Sequence, residues 1–222
     1  MIYSVSEGLI RVALVQPNKF IRGGFEALLL NESRFKVTGS FCEFSQAYNS
    51  LIWNDTDLLL YDLRYTATDN YESLRLFKTN HPSIILVATS SVDDDMNLDA
   101  IKNGISGFAA KNLKSTEFIE SLLFISNGCS PITPQLANQV LQLFKKNKNY
   151  TNIDSCFLLF EENTLLSKFA EGKSFSTVAG ELSTTIEILG KDVRHIYDKI
   201  YKMSVLKRSL DTSFRNDRKK SS

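Results

Sequence analysis

Cysteine is sparse in this 222-residue chain, with Cys42, Cys129 and Cys156 widely spaced and without a CxxC pair. An odd count without paired spacing excludes a disulfide scaffold and a cysteine zinc site, and is expected of free thiols in a reducing compartment. No apolar run approaches the length of a membrane span. Residues 1–11 lack the basic stretch followed by an apolar one that marks a secretory signal, so the expectation is a cytoplasmic protein without membrane contact. There are only two histidines: His81 precedes a proline at a turn, and His195 has no cysteine or carboxylate constellation beside it in sequence. Phosphate-binding glycine loops, metal boxes and nucleophile elbows are all missing. These absences predict that the chain is not an enzyme, has no small-molecule substrate, and needs neither a cofactor nor a metal.

Charge, by contrast, is unevenly placed. Through Ser126 there are 11 Lys and Arg against 15 Asp and Glu, a net of −4; from Asn127 onward there are 15 against 10, a net of +5. The overall +1 therefore joins an acidic front to a basic back. A basic C-terminal part suits an acidic partner such as nucleic acid, although a solvated basic face has the same composition.

Leu58-Leu59-Leu60-Tyr61-Asp62 is the run around which the rest is arranged. Consecutive apolar residues without alternation predict a strand buried on both faces, placing Asp62 at the carboxyl end, where open α/β sheets gather their chemistry. Short apolar segments at 12–15, 35–38, 84–88 and 107–110 read as further strands. Between and after them come helical patterns at 20–30, 44–53, 71–79, 93–102 and 115–124, with Ser115 a candidate cap. Five strands alternating with five helices predict a doubly wound, five-stranded parallel sheet with right-handed crossovers.

Asn127 to Pro134 breaks this alternation. A bridging helix at 135–144 and a lysine-rich linker at 145–151 follow. Helices at 161–171, 176–182 and 186–203 then form an all-α unit with a short turn before the last, the spacing of a helix-turn-helix. Leu189, Val193, Ile196 and Ile200 recur at steps of 4, 3 and 4 as the core stripe of that last helix. The expected organisation is an α/β domain at 9–126, a bridging helix and linker at 127–152, a helix-turn-helix domain at 153–210, and a basic polar tail without periodicity at 211–222, read as disordered.

Over nearly its whole length the chain resembles a two-domain response regulator of the NarL/FixJ type, a receiver followed by a LuxR-type helix-turn-helix domain. Asp62 falls at the phosphoacceptor position, Thr89 at the hydroxyl, Phe108 at the aromatic switch and Lys111 at the invariant lysine. Gly104, Gly107 and His81-Pro82 also fall in register. Phe169-Ala170-Glu171-Gly172, Val178-Ala179 and Glu181-Leu182 match the second domain. The resemblance implies a two-component transcription regulator that binds double-stranded DNA as a homodimer or as a heterodimer with a related regulator.

The departures carry the mechanism. In the family an acidic pair ends the first strand and holds Mg²⁺; here that place is Gln16-Pro17. Mg²⁺ is a hard cation that needs oxygen ligands, usually carboxylates, and neither residue supplies one. Charge neutralisation during phosphoryl transfer would fall to Lys111 and Thr89 alone. Asp62 is therefore expected to be a structural carboxylate held by Lys111, with Phe108 a fixed packing residue. In the last helix, the family's outward Thr-Val-Lys and His are Ile188-Leu189-Gly190 and Asp192, and Gly190 costs about 1 kcal/mol of helix stability relative to alanine. Lys191, Arg194, His195, Lys199 and Lys202 remain as expected phosphate contacts, which position a protein on DNA without reading sequence. The ending Lys202-Met203-Ser204-Val205 stands for the family's Lys-Leu-Gly-Val one turn late, predicting a recognition helix about one turn longer than usual. Two function classes follow: a DNA-binding regulator independent of phosphorylation, or an interaction module that pairs with an intact regulator and reads little DNA itself.

Overall fold

The computed structural model describes residues 8–48, 50–63, 71–90, 97–146 and 157–220. Its first part is a five-stranded sheet built from β1 (Ile10–Val15), β2 (Phe35–Phe41), β3 (Leu58–Asp62), β4 (Ile85–Ser90) and β5 (Gly107–Ala110). All pairings are parallel and the spatial order is β2-β1-β3-β4-β5. In that order the chain reverses direction between β1 and β3, so the residue after β1 and the last residue of β3, Gln16 and Asp62, share the crevice at the carboxyl edge.

Each residue of β3 is buried, and the two faces divide its side chains. Leu58 and Leu60 pack with Leu29 of α1 (Lys19–Leu30) and with Phe118, Ile119 and Leu122 of α5 (Ser115–Ser126). Leu59 and Tyr61 pack on the other face with Ala47 of α2 (Phe44–Tyr48), with Leu74 and Phe77 of α3 (Glu72–Asn80), and with Ala100 of α4 (Asn97–Lys102). Burying each such leucine contributes about 1.5–3 kcal/mol, which explains why this run tolerates no polar residue before Asp62.

Some boundaries differ from expectation. The pattern at 44–53 resolves into α2 and a separate 3-10 turn at Leu51–Asp55, because buried Trp53 turns back so that its indole N–H donates to the Ala47 carbonyl at 3.0 Å. Lys114, not Ser115, occupies the cap position of α5, and Glu117 accepts from its backbone N–H at 3.3 Å. The helix expected at 93–102 is described from Asn97 onward, its opening residues lying outside the described residues; of the linker expected at 145–151, Lys145 and Lys146 end a helix and 147–151 lie outside the described residues.

The second part comprises α6 (Pro134–Lys146), α7 (Phe160–Ala170), α8 (Phe175–Glu181) and α9 (Ile186–Lys220). The apolar face of α6, with Val140, Leu141 and Phe144, belongs to the same core as Leu165, Leu166 and Phe169 of α7 and Val193, Ile196 and Ile200 of α9. Far from ending near Met203, α9 runs for 35 residues, about 52 Å at 1.5 Å per residue. No glycine or proline follows Gly190, so the sequence offers no glycine for a left-handed cap. The tail expected to be disordered at 211–222 is helical as far as Lys220. Among the described residues, no helix is long and apolar enough to cross a membrane.

Candidate functional site

Asp62 is 1% exposed and both of its carboxylate oxygens are engaged. The Lys111 ammonium sits 2.7 Å from Oδ1, and the Gln16 side-chain amide donates to Oδ2 at 2.8 Å. Gln16 is itself fixed on three other sides. Its amide oxygen accepts from the Asn18 N–H at 3.1 Å, its carbonyl accepts from the Arg22 guanidinium at 2.7 Å, and its backbone N–H donates to Phe41 at 3.0 Å. Asn18 in turn caps α1 by accepting from the N–H groups of Phe20 and Ile21. The local sequence Gln16-Pro17-Asn18 thus ends β1, orients an amide and starts a helix. Pro17 offers no N–H and no carboxylate.

Thr89 lies beside Asp62 across the β3–β4 ladder, and its hydroxyl donates to the Tyr61 carbonyl at 3.4 Å. A magnesium ion does not fit these donors. Among the described residues the pocket brings one carboxylate, and an amide N–H and an ammonium point at the oxygens a cation would need. No group of three or more His, Cys, Asp or Glu suited to a metal occurs among the described residues.

A second constellation lies between the two parts of the chain, around α9. Arg194, expected on the DNA side, is turned to the receiver: its Nε donates to Ser130 Oγ at 2.7 Å, and its terminal nitrogen to the carbonyls of Cys129 and Ile125 at 2.9 and 3.2 Å. Burial holds its pKa below the ordinary arginine value. Ser130 passes the contact on by donating to Ser106 at 2.5 Å, and its backbone N–H donates to Gly190 at 2.9 Å. Tyr197 donates to Pro131 at 2.6 Å, and burial pushes its hydroxyl far above the usual tyrosine range. Its ring meets Phe108 edge-on at 6.5 Å. Arg208 closes the seam at the end of α4, donating to the Lys102 carbonyl and to Asn103 Oδ1.

The remaining cations separate by face. Lys199 is internal: it pairs with buried Glu162 at 2.7 Å, and Glu162 also accepts from the Leu159 N–H that opens α7. Lys191, His195 and Lys202 are exposed on the outer side of α9. The structure therefore gathers Gln16, Thr89 and Lys111 around Asp62, but divides the five expected DNA contacts among three environments. The residues missed were Ser130, Tyr197 and Asn103, while Arg208, read from sequence as a further phosphate contact, lies instead against the end of α4. The signal available was Gly190, a small residue in a helix interior, which permits close approach of another element.

This is the architecture of a receiver joined to a LuxR-type helix-turn-helix domain, and the relatives of the chain are response regulators of the NarL type. No protein-family model matches it. It is similar to the transcriptional regulatory protein LiaR of Bacillus subtilis, 27% identical over 195 residues that cover 86% of this chain and 91% of LiaR. It is similar also to LnrK of the same organism, 21% identical with the same coverage, and to the oxygen regulatory protein NreC of Staphylococcus carnosus, 20% identical with the same coverage. Among solved structures, the RcsB response regulator of Salmonella typhimurium matches 87% of this chain and 92% of its own with a TM-score of 0.50 and 19% identity, a likeness of fold.

Proposed function

We propose that the chain is a DNA-binding transcriptional regulator of the response-regulator class that works without Mg²⁺-dependent phosphorylation of its receiver. The observation that carries this reading is the double engagement of Asp62. Phosphoryl transfer needs a free carboxylate oxygen and a cation to neutralise the charge developing on the phosphoryl group. Here one oxygen accepts from Gln16 and the other from Lys111. The relatives named as transcriptional regulatory proteins, together with the helix-turn-helix register, support the DNA-binding part of the reading.

In the closed arrangement the Gly190–Arg194 turn of α9 faces the receiver, so engagement of DNA by that turn requires the two domains to part. Lys191 and Lys202, already exposed, supply phosphate contacts that are independent of sequence. A two-fold pair of such domains, as a homodimer or with a related regulator, spans two half-sites. The sealed inner face of α9 favours a second reading, in which the chain acts by pairing with an intact regulator and adds little DNA recognition.

Fluorescence anisotropy of the full chain on candidate and scrambled duplexes at several salt concentrations separates the two. Under the first reading, Lys191→Ala and Lys202→Ala each weaken binding to all sequences similarly and lower the salt slope by about one unit. Absence of binding even at low salt, combined with an altered DNA affinity of an added relative, selects the second.

A further inference from the structure

Beside the seam that joins α9 to the receiver runs a groove of about 550 Å³, within the range of roughly 300–1,000 Å³ that takes small molecules. Its two walls belong to different domains. The receiver supplies Leu113 and, from α5, Glu117, Glu120 and Phe124; α8 supplies Phe175 and Ser176, and Ile186 opens α9. The walls meet where the Phe124 ring stands edge-on to Phe175, with 5.9 Å between centroids and 84° between planes. Phe124 is also the ring that closes on Gly190, and Phe175 is anchored in the second domain against Phe169 at 4.6 Å. The groove therefore exists only while the domains are together: parting them separates the two rings and leaves two open half-sites.

The lining also selects a charge. Glu117 and Glu120 are exposed and stand at the i, i+3 spacing that puts them side by side on α5. Glu117 accepts from the Lys114 backbone N–H at 3.3 Å, and Glu120 feels the Arg34 guanidinium only weakly, since Glu32 pairs with it at 2.7 Å. Among the described residues that line the groove none is basic, and its other polar groups are serine hydroxyls. An anion, a phosphate or nucleotide included, meets like charge there. A cation carried on an aromatic or alkyl body finds carboxylates to balance its charge and phenylalanine rings to cover it. A molecule that binds only the closed arrangement draws the domains toward it by mass action.

We infer that the groove between α5 and α8 is a binding site for a lipophilic organic cation, and that its occupant holds the two domains closed. The consequence for DNA rests on the regulator reading above: the occupant keeps the Gly190–Arg194 turn against the receiver. The test is isothermal titration calorimetry of the full-length protein with tetraphenylphosphonium, and with tetraphenylborate as an anion of the same shape; circular dichroism and thermal melting control for folding. The cation is expected to bind saturably, one to one, and about tenfold or more tighter than the anion. Glu117→Gln with Glu120→Gln weakens the cation several-fold and narrows its margin over the anion. Ser176→Trp, at an exposed position, fills the groove and abolishes binding. Arg194→Ala loosens the seam without touching the groove and also weakens the cation several-fold, which a site built on one domain alone would not show. In fluorescence anisotropy on duplex DNA, saturating tetraphenylphosphonium lowers the affinity of the wild type several-fold and leaves that of Ser176→Trp unchanged. A cation that fails to saturate at millimolar concentration, binds no better than the borate, or is indifferent to Ser176→Trp overturns the site. Cation affinity unmoved by Arg194→Ala, or DNA affinity unmoved by the cation, overturns the closure. A chain with no affinity for DNA overturns the regulator reading instead, and the calorimetry with Arg194→Ala still decides the site and the closure.

Discussion

Single side chains decide the receiver chemistry. The neutral amide of Gln16 does for Asp62 what a cation does elsewhere: it presents a positive dipole to one carboxylate oxygen, at 2.8 Å. Replacing Gln16-Pro17 by two aspartates places like charges against buried Asp62. The variant is expected to melt below wild type in chelator and to rise in Tm with millimolar Mg²⁺, while the wild type does not respond; equal behaviour of the two proteins in thermal melts contradicts this. Lysines on α9 are likewise unequal. Lys199→Ala leaves Glu162 buried without its partner and is expected to cost about 3–5 kcal/mol in urea denaturation, whereas Lys191→Ala at the surface stays within about 0.5 kcal/mol of wild type. Sequence placed both in one basic cluster, because spacing along a helix gives a residue's face but not what another helix brings opposite it. The Asp62–Lys111 contact was expected from the family resemblance and not from pattern, because hydrophobic period places each residue at a strand end but not the two strands near each other.

At the scale of elements, the seam between α9 and the receiver rests on close approach. A Cβ built on Gly190 would lie 2.3 Å from the Phe124 ring and 2.7 Å from Cys129 Cβ. In an isolated helix Gly→Ala stabilises by about 1 kcal/mol. In the full chain Gly190→Ala is expected to lower the urea midpoint, since overpacking costs about 1–3 kcal/mol, and Phe124→Leu in the same chain is expected to recover part of the loss. Gly190 read from sequence as a lost DNA contact; its packing role depends on α5, more than sixty residues away in sequence, and is invisible to local pattern. Lys78 of α3 offers a pH test. Its ammonium donates to the Pro82 and Ile84 carbonyls, yet burial lowers its pKa to about 8, with Asp198 opposing and Arg194 reinforcing the shift. Above about pH 8 the folded state releases this proton while the unfolded chain retains it up to its ordinary 10.5, so stability rises with pH in that window. The difference in urea midpoint between wild type and Lys78→Met should therefore grow in favour of wild type as pH rises above about 8; a constant difference contradicts it.

In the molecule as a whole, the parallel sheet and helical second domain followed from hydrophobic period, whereas the length of α9 and its packing did not. No glycine or proline follows Met203, but the absence of a stop becomes a 35-residue helix only where docking favours continuation. α9 belongs to the second core and to the receiver seam at once, so the receiver helps position it. The central claim is that Asp62 is a structural anchor and not an acceptor. Intact-mass analysis of the full-length protein after incubation with acetyl phosphate and Mg²⁺ tests it most directly. The expected result is an unchanged mass under conditions that fully modify an intact response regulator run in parallel. A stoichiometric phosphoryl adduct that vanishes in Asp62→Asn would contradict the account.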